Sequence, residues 1–128
     1  MRAPAKAIEV RACRDVSFPG AVRKCIDVQA LRPLSNEEIV GHAMLAIKWA
    51  ARWGQAQAYS VGFWLDASKI AREKADAIVE YAPHGVWADA DKAKLGDYSL
   101  HLCKIIHGME TKSADPEQPK GTAKASSA

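Results

Sequence analysis

Hydrophobic and polar positions follow a period of two at first and a helical period afterwards, and the change marks the elements the sequence predicts. Residues 7–16 and 22–31 flank Ser17-Phe18-Pro19-Gly20-Ala21, where Pro-Gly marks a turn. A β-hairpin over 7–31 follows. A register that sets Ile8 opposite Ala30 also sets Val10 opposite Val28, Ala12 opposite Ile26 and Val16 opposite Val22. Its other face matches Glu9 with Gln29, Arg11 with Asp27, Cys13 with Cys25 and Asp15 with Arg23. One register thus yields a largely apolar face and two opposite-charge pairs together. Its misfit is Arg14 opposite Lys24, near the turn. A lone hairpin is marginal in water, so its apolar face needs a second layer.

Leu34-Ser35-Asn36-Glu37-Glu38-Ile39 reads as a helix start. The Ser35 hydroxyl can accept from the Glu38 N–H while the Glu38 carboxylate reaches back, a capping box with Leu34 and Ile39 at the staple positions. The helix is predicted over 35–53, with Gly54 at its end. Ile39, Ala43, Ala46, Ile47, Ala50 and Trp53 share its inward face, and Leu45 and Trp49, with His42, lie on a flank. A second helix is predicted over 60–82. Phe63, Trp64, Ala67, Ile70, Ala71, Ala75, Ile78, Tyr81 and Ala82 share one face there, with Asp66, Lys69, Arg72, Glu73, Asp76 and Glu80 opposite. Its first part, Tyr59 to Leu65, has strand-like composition. A third helix over 89–107, capped by Asp89 or Asp91, has Leu95, Tyr98, Leu102, Ile105, Ile106 and Met109 as its core face. A strand from Tyr98 to Ile106 is the rival reading, disfavoured because it would split Leu102 from Ile105.

The predicted fold class is therefore α+β: an N-terminal β-hairpin packed on a three-helix bundle, a single domain over residues 1–110. Residues 111–128 are rich in Ser, Ala, Pro, Lys and Gly and cannot bury enough surface to offset their ordering entropy, so they read as a disordered tail. The length of 128 residues fits one domain. The most apolar stretch, Ile39 to Ala51, contains His42 and Lys48 and falls short of the ~20 residues of a membrane span. No apolar run follows the first charges, as a secretory signal would require. A soluble, cytoplasmic protein with no membrane partner is expected.

Charge adds one feature. The net +3 is too mild to diagnose a nucleic-acid binder, but residues 1–34 carry seven Lys/Arg against three Asp/Glu. A two-stranded ribbon fits the major groove of DNA, and phosphate contacts need only cations. With Arg11 and Arg23 offset by aspartates, Arg2, Lys6, Arg14 and Lys24 remain as the candidate nucleic-acid contacts. The three cysteines are an odd number at spacings that suit neither a disulfide framework nor zinc. No metal and no cofactor is expected. Cys13 and Cys25 face each other in the proposed register and form a candidate redox pair.

Catalytic constellations are sparse. His84, Asp89 and Asp91 share a loop that could bind a divalent cation, although aspartates there also cap the next helix. Asp97 and His101, four apart, could touch as an oriented acid–base pair or as a surface pair. Lys74 falls in the apolar face of the second predicted helix, where it could serve as a lowered-pKa amine or lay its stem on apolar surface. No phosphate loop, GxSxG or HExxH is present.

The four tryptophans are many for this length. They fill a small core or mark a recognition surface, since Trp and Arg are enriched at binding hot spots. His42, Leu45, Trp49 and Arg52 form such a stripe. The expected function is a small non-enzymatic binding or regulatory protein that docks on a partner protein. By analogy of size and composition, the class includes phage- and plasmid-borne inhibitors of host systems. A nucleic-acid accessory protein using the basic hairpin is the alternative. A small enzyme with its site at the 84–91 loop or Lys74 is a second one. A homodimer is left open.

Overall fold

The computed structural model describes residues 7–17 and 21–109. Five strands form one mixed sheet: β1 (Ile8–Asp15), β2 (Arg23–Ala30), β3 (Ala58–Trp64), β4 (Ala77–Pro83) and β5 (His101–His107). They lie in sequence order, with β1 and β5 at the edges. Neighbours are antiparallel except β2 and β3, which run parallel. Parallel neighbours need a long crossover, and α1 (Asn36–Ala51) supplies it. Two short 3-10 segments, Ala67–Lys69 and Trp87–Lys92, complete the elements.

Helix α1 begins as the sequence dictates. The Ser35 hydroxyl accepts from the Glu38 N–H at 3.2 Å, and Glu38 Oε1 accepts from the Ser35 N–H at 3.0 Å. Arg32 closes on Glu38 with two hydrogen bonds, at 3.2 and 2.7 Å. Ile39, Ala43, Ala46, Ile47 and Ala50 then lie buried against one face of the sheet. That face supplies Ile26, Val28 and Ala30 from β2, Tyr59, Val61 and Phe63 from β3, and Ala77 and Val79 from β4. Alternation along each strand puts Cys25, Asp27, Ser60, Gly62, Trp64 and Glu80 on the other, outer face. At one end of that face Ala21, Ala58, Ala82 and Ala90 cluster with Trp87. At the other, the Trp64 indole N–H donates to Glu73 O at 3.0 Å, and the ring lies over Gly62, where a Cβ would sit 2.8 Å from it.

The three-helix bundle is wrong: α1 is the sole α-helix among the described residues. The segment expected as one helix over 60–82 is β3, a 3-10 turn and β4. Strands buried on both faces read as near-continuous apolar runs. Two such runs, Val61 to Leu65 and Ala75 to Ala82, separated by Asp66, Lys69, Arg72 and Glu73, imitate a helical period. The segment expected as a helix over 89–107 is a 3-10 segment and the edge strand β5. Leu102 and Ile105 do lie on opposite faces: Ile105 packs on the core, and Leu102 is 60% exposed on the outer face. The objection to a strand assumed that both belong to one buried face, whereas Leu102 is left exposed on the outer one.

The hairpin register holds for its first half. Ile8 opposes Ala30, Glu9 opposes Gln29 and Val10 opposes Val28. A β-bulge at Arg11 then shifts it by one, so that Cys13 opposes Ile26 and Arg14 opposes Cys25. The shift removes the misfit of Arg14 against Lys24. The tail expected over 111–128 lies outside the described residues.

Candidate docking surface

Among the described residues strand β1 pairs on one side only, with β2. The Leu31 N–H donates to Ala7 O at 2.8 Å. Bonded and non-bonded pairs alternate along antiparallel strands. Glu9, opposite Gln29, therefore turns its backbone groups to β2, while Ile8 and Val10 turn theirs to the free side. Their side chains point to the helix side of the sheet, where they pack at the border of the core. The flank of α1 faces them. Ile8, Val10, Leu45, Ala46 and Trp49, with Glu9 and Arg11, frame a groove of about 560 Å³.

Leu45 is 62% exposed and Trp49 41%. The structure thus brings together two members of the expected stripe. Half-buried His42 on the same helix and Arg52, just past its end, do not line the groove. Trp53, assigned to the inward face, is 76% exposed. Its assignment fails because α1 ends at Ala51: the Arg52 and Trp53 N–H groups donate to Trp49 O and Ala50 O in a turn that leaves the helical path. Its ring meets Trp49 edge to face at 6.5 Å.

The basic candidates divide. Arg14 donates to both Asp27 oxygens, at 3.0 and 2.9 Å, and Asp27 is buried. Those hydrogen bonds raise the guanidinium pKa further. Lys24 Nζ donates to Gly54 O and ties the hairpin to the end of α1. Arg2 and Lys6 lie outside the described residues. Cys13 and Cys25 point to opposite faces of the sheet, so they are not a facing pair. Burial raises both thiol pKa values, and a raised pKa disfavours the reactive thiolate.

The enzyme candidates separate as well. Asp89 lies 3.3 Å from Lys92 and 4.0 Å from His84 Nδ1. No group of three His, Cys, Asp or Glu suited to a metal occurs among the described residues. Lys74, expected on an apolar helix face, sits on the exposed connector between β3 and β4. It borders a cavity of about 230 Å³ on the outer sheet face, together with Arg14, Cys25, Asp27 and Trp64. Asp97 accepts from the Ser99 N–H at 3.0 Å instead of meeting His101 on a helix.

Sequence reasoning missed an aromatic cluster under the far end of the sheet. The Tyr59 and Tyr98 hydroxyls share a hydrogen bond of 3.0 Å, and Tyr59 Oη accepts from the Ala56 N–H at 2.9 Å. Burial and the Tyr98 bond push the Tyr59 pKa up. His101 packs between Tyr81 and Tyr98, with centroids 4.9 and 5.0 Å away. Its Nε2 bonds to Gln57 O at 2.7 Å. A carbonyl only accepts, so Nε2 carries the proton. The cluster braces the chain between the second 3-10 segment and β5 against the sheet. Tyr98 was expected on the core face of a third helix and His101 beside Asp97, so no local signal marked the cluster.

Comparison with family models, with curated proteins and with solved structures gave no match. No helix among the described residues is long and apolar enough to cross a membrane.

Proposed function

We propose that the protein is a non-enzymatic docking module that binds a partner protein through the groove between α1 and β1. One observation carries this reading: exposed Leu45 and Trp49 stand beside a strand edge whose Ile8 and Val10 backbone groups face outward. An extended partner segment would add to that edge through its backbone and set alternate apolar side chains against Leu45 and Trp49. Trp is the residue type most often found at the centre of such contacts. The bulge at Arg11 limits the pairing to a short stretch, which also guards the edge against indiscriminate pairing. A second copy of the chain fits less well. Antiparallel pairing of two β1 strands centred on Glu9 sets two carboxylates side by side. Centring it on Val10 runs it into the bulge.

The nucleic-acid alternative has less to stand on, because Arg14 and Lys24 are both engaged within the chain. The test of the docking reading is selection of binders from a random peptide library on the intact protein. Selected peptides should alternate apolar and polar residues. They should lose binding to Trp49→Ala while that variant keeps its unfolding midpoint within about 1 kcal/mol of the parent. Peptides without alternation, or peptides that bind Trp49→Ala equally well, contradict it.

A further inference from the structure

A second cleft lies on the opposite flank of α1, with Leu45 on the crest between the two. Its volume is about 350 Å³, within the range of small-ligand sites. Gly41, Met44, Ile47, Lys48 and Ala51 of α1 line it, and Tyr98 stands across from them. The Tyr98 hydroxyl is engaged by Tyr59 and its ring is packed on Tyr81 and His101. With its hydroxyl engaged, Tyr98 has its apolar ring to offer the cleft.

Two residues give the cleft a chemical preference. A Cβ built on Gly41 would meet no atom within 4 Å. No close approach requires glycine there, and glycine inside a helix is less stable than alanine. Its absent side chain leaves the cleft open. Lys48 is the one charged residue in the lining, and it has no hydrogen-bond or ion-pair partner among the described residues. Apolar walls with a single unpaired cation complement an amphipathic monoanion.

We propose that this cleft binds a small organic carboxylate with an apolar body, its tail lying between α1 and Tyr98 and its carboxylate on the Lys48 ammonium. Medium-chain fatty acids have this chemistry. The site is separate from the β1 groove and does not depend on its use.

Octanoate, titrated calorimetrically below its micellar range, tests it. Octanoate should bind at saturable 1:1 stoichiometry and roughly fourfold tighter than heptanoate, the gain for one buried methylene. Gly41→Leu should abolish binding while unfolding no more easily than the parent, because leucine is the better helix former. Lys48→Glu, at an exposed position, should weaken octanoate about tenfold by replacing attraction with repulsion and leave octanol unchanged. Trp49→Ala should bind octanoate normally, so this site and the docking groove fail separately. No saturable binding overturns the proposal. So does unchanged affinity in a folded Gly41→Leu protein, or indifference of octanoate to Lys48→Glu.

Discussion

Toward the sheet, α1 presents Ile39, Ala43, Ala46, Ile47 and Ala50, all buried; away from it, Leu45 and Trp49, with Trp53 just past its end, are all exposed. Three of the five inside are alanines, and both tryptophans are outside. Burial energy alone would favour the reverse, since an aromatic ring gains far more from leaving water than a methyl does. The alanines answer a different demand: they let the helix lie close to a sheet face already filled by Phe63, Tyr59 and Ile26. The outer side has no such constraint. Packing on the sheet does not require its large apolar residues, and the docking proposal accounts for them.

Substitutions on the two sides should therefore behave oppositely, and urea unfolding reads the difference. The largest effect belongs to the interior: Phe63→Ala should cost about 3–5 kcal/mol through the cavity it leaves. Arg14→Leu comes next, at about 1–3 kcal/mol, because it strands the buried Asp27 carboxylate. Ala46→Leu should also cost about 1–3 kcal/mol, by overpacking the seam between helix and sheet. Leu45→Ser and Trp53→Ser should stay within about 0.5 kcal/mol. Large losses at Leu45 or Trp53 would erase the contrast and return the outer ridge to the core.

The start of α1, which anchors both sides, adds a pH dependence. Hydrogen bonds from Arg32 and from the Ser35 N–H lower the Glu38 pKa from 4.5 to about 2. A depressed folded-state pKa gives stability that is present above the unfolded value and is lost as pH falls through the folded one. The melting temperature should decline between pH 4.5 and 2, and Glu38→Gln should flatten that decline. Ser35→Ala, measured at neutral pH, should cost about 1 kcal/mol.

Local chemistry made the first third of the chain legible. The opening of the hairpin register and the capping box at Ser35 each depend on residues near one another in sequence. The bulge at Arg11 was not legible, because Asp27 is drawn to Arg14 by burial on a sheet face that only β3 completes. The run from Ala58 to His107 was misread for a related reason. Its apolar positions serve two faces of a sheet, and their period reflects neighbours far away in sequence. Of the candidate site, Leu45 and Trp49 could be read from α1 alone. Their companion, the free edge of β1, needed the strand order.

The docking claim is tested most directly by amide hydrogen exchange at Ile8 and Val10, with and without a library-selected peptide. Both N–H groups face away from β2, so they should exchange rapidly in the free protein. In the complex they should become protected, while the Glu9 amide, already bonded to β2, changes little. Protection that appears at β5 instead, or a bound peptide that leaves Ile8 and Val10 exchanging as fast as before, would contradict the account.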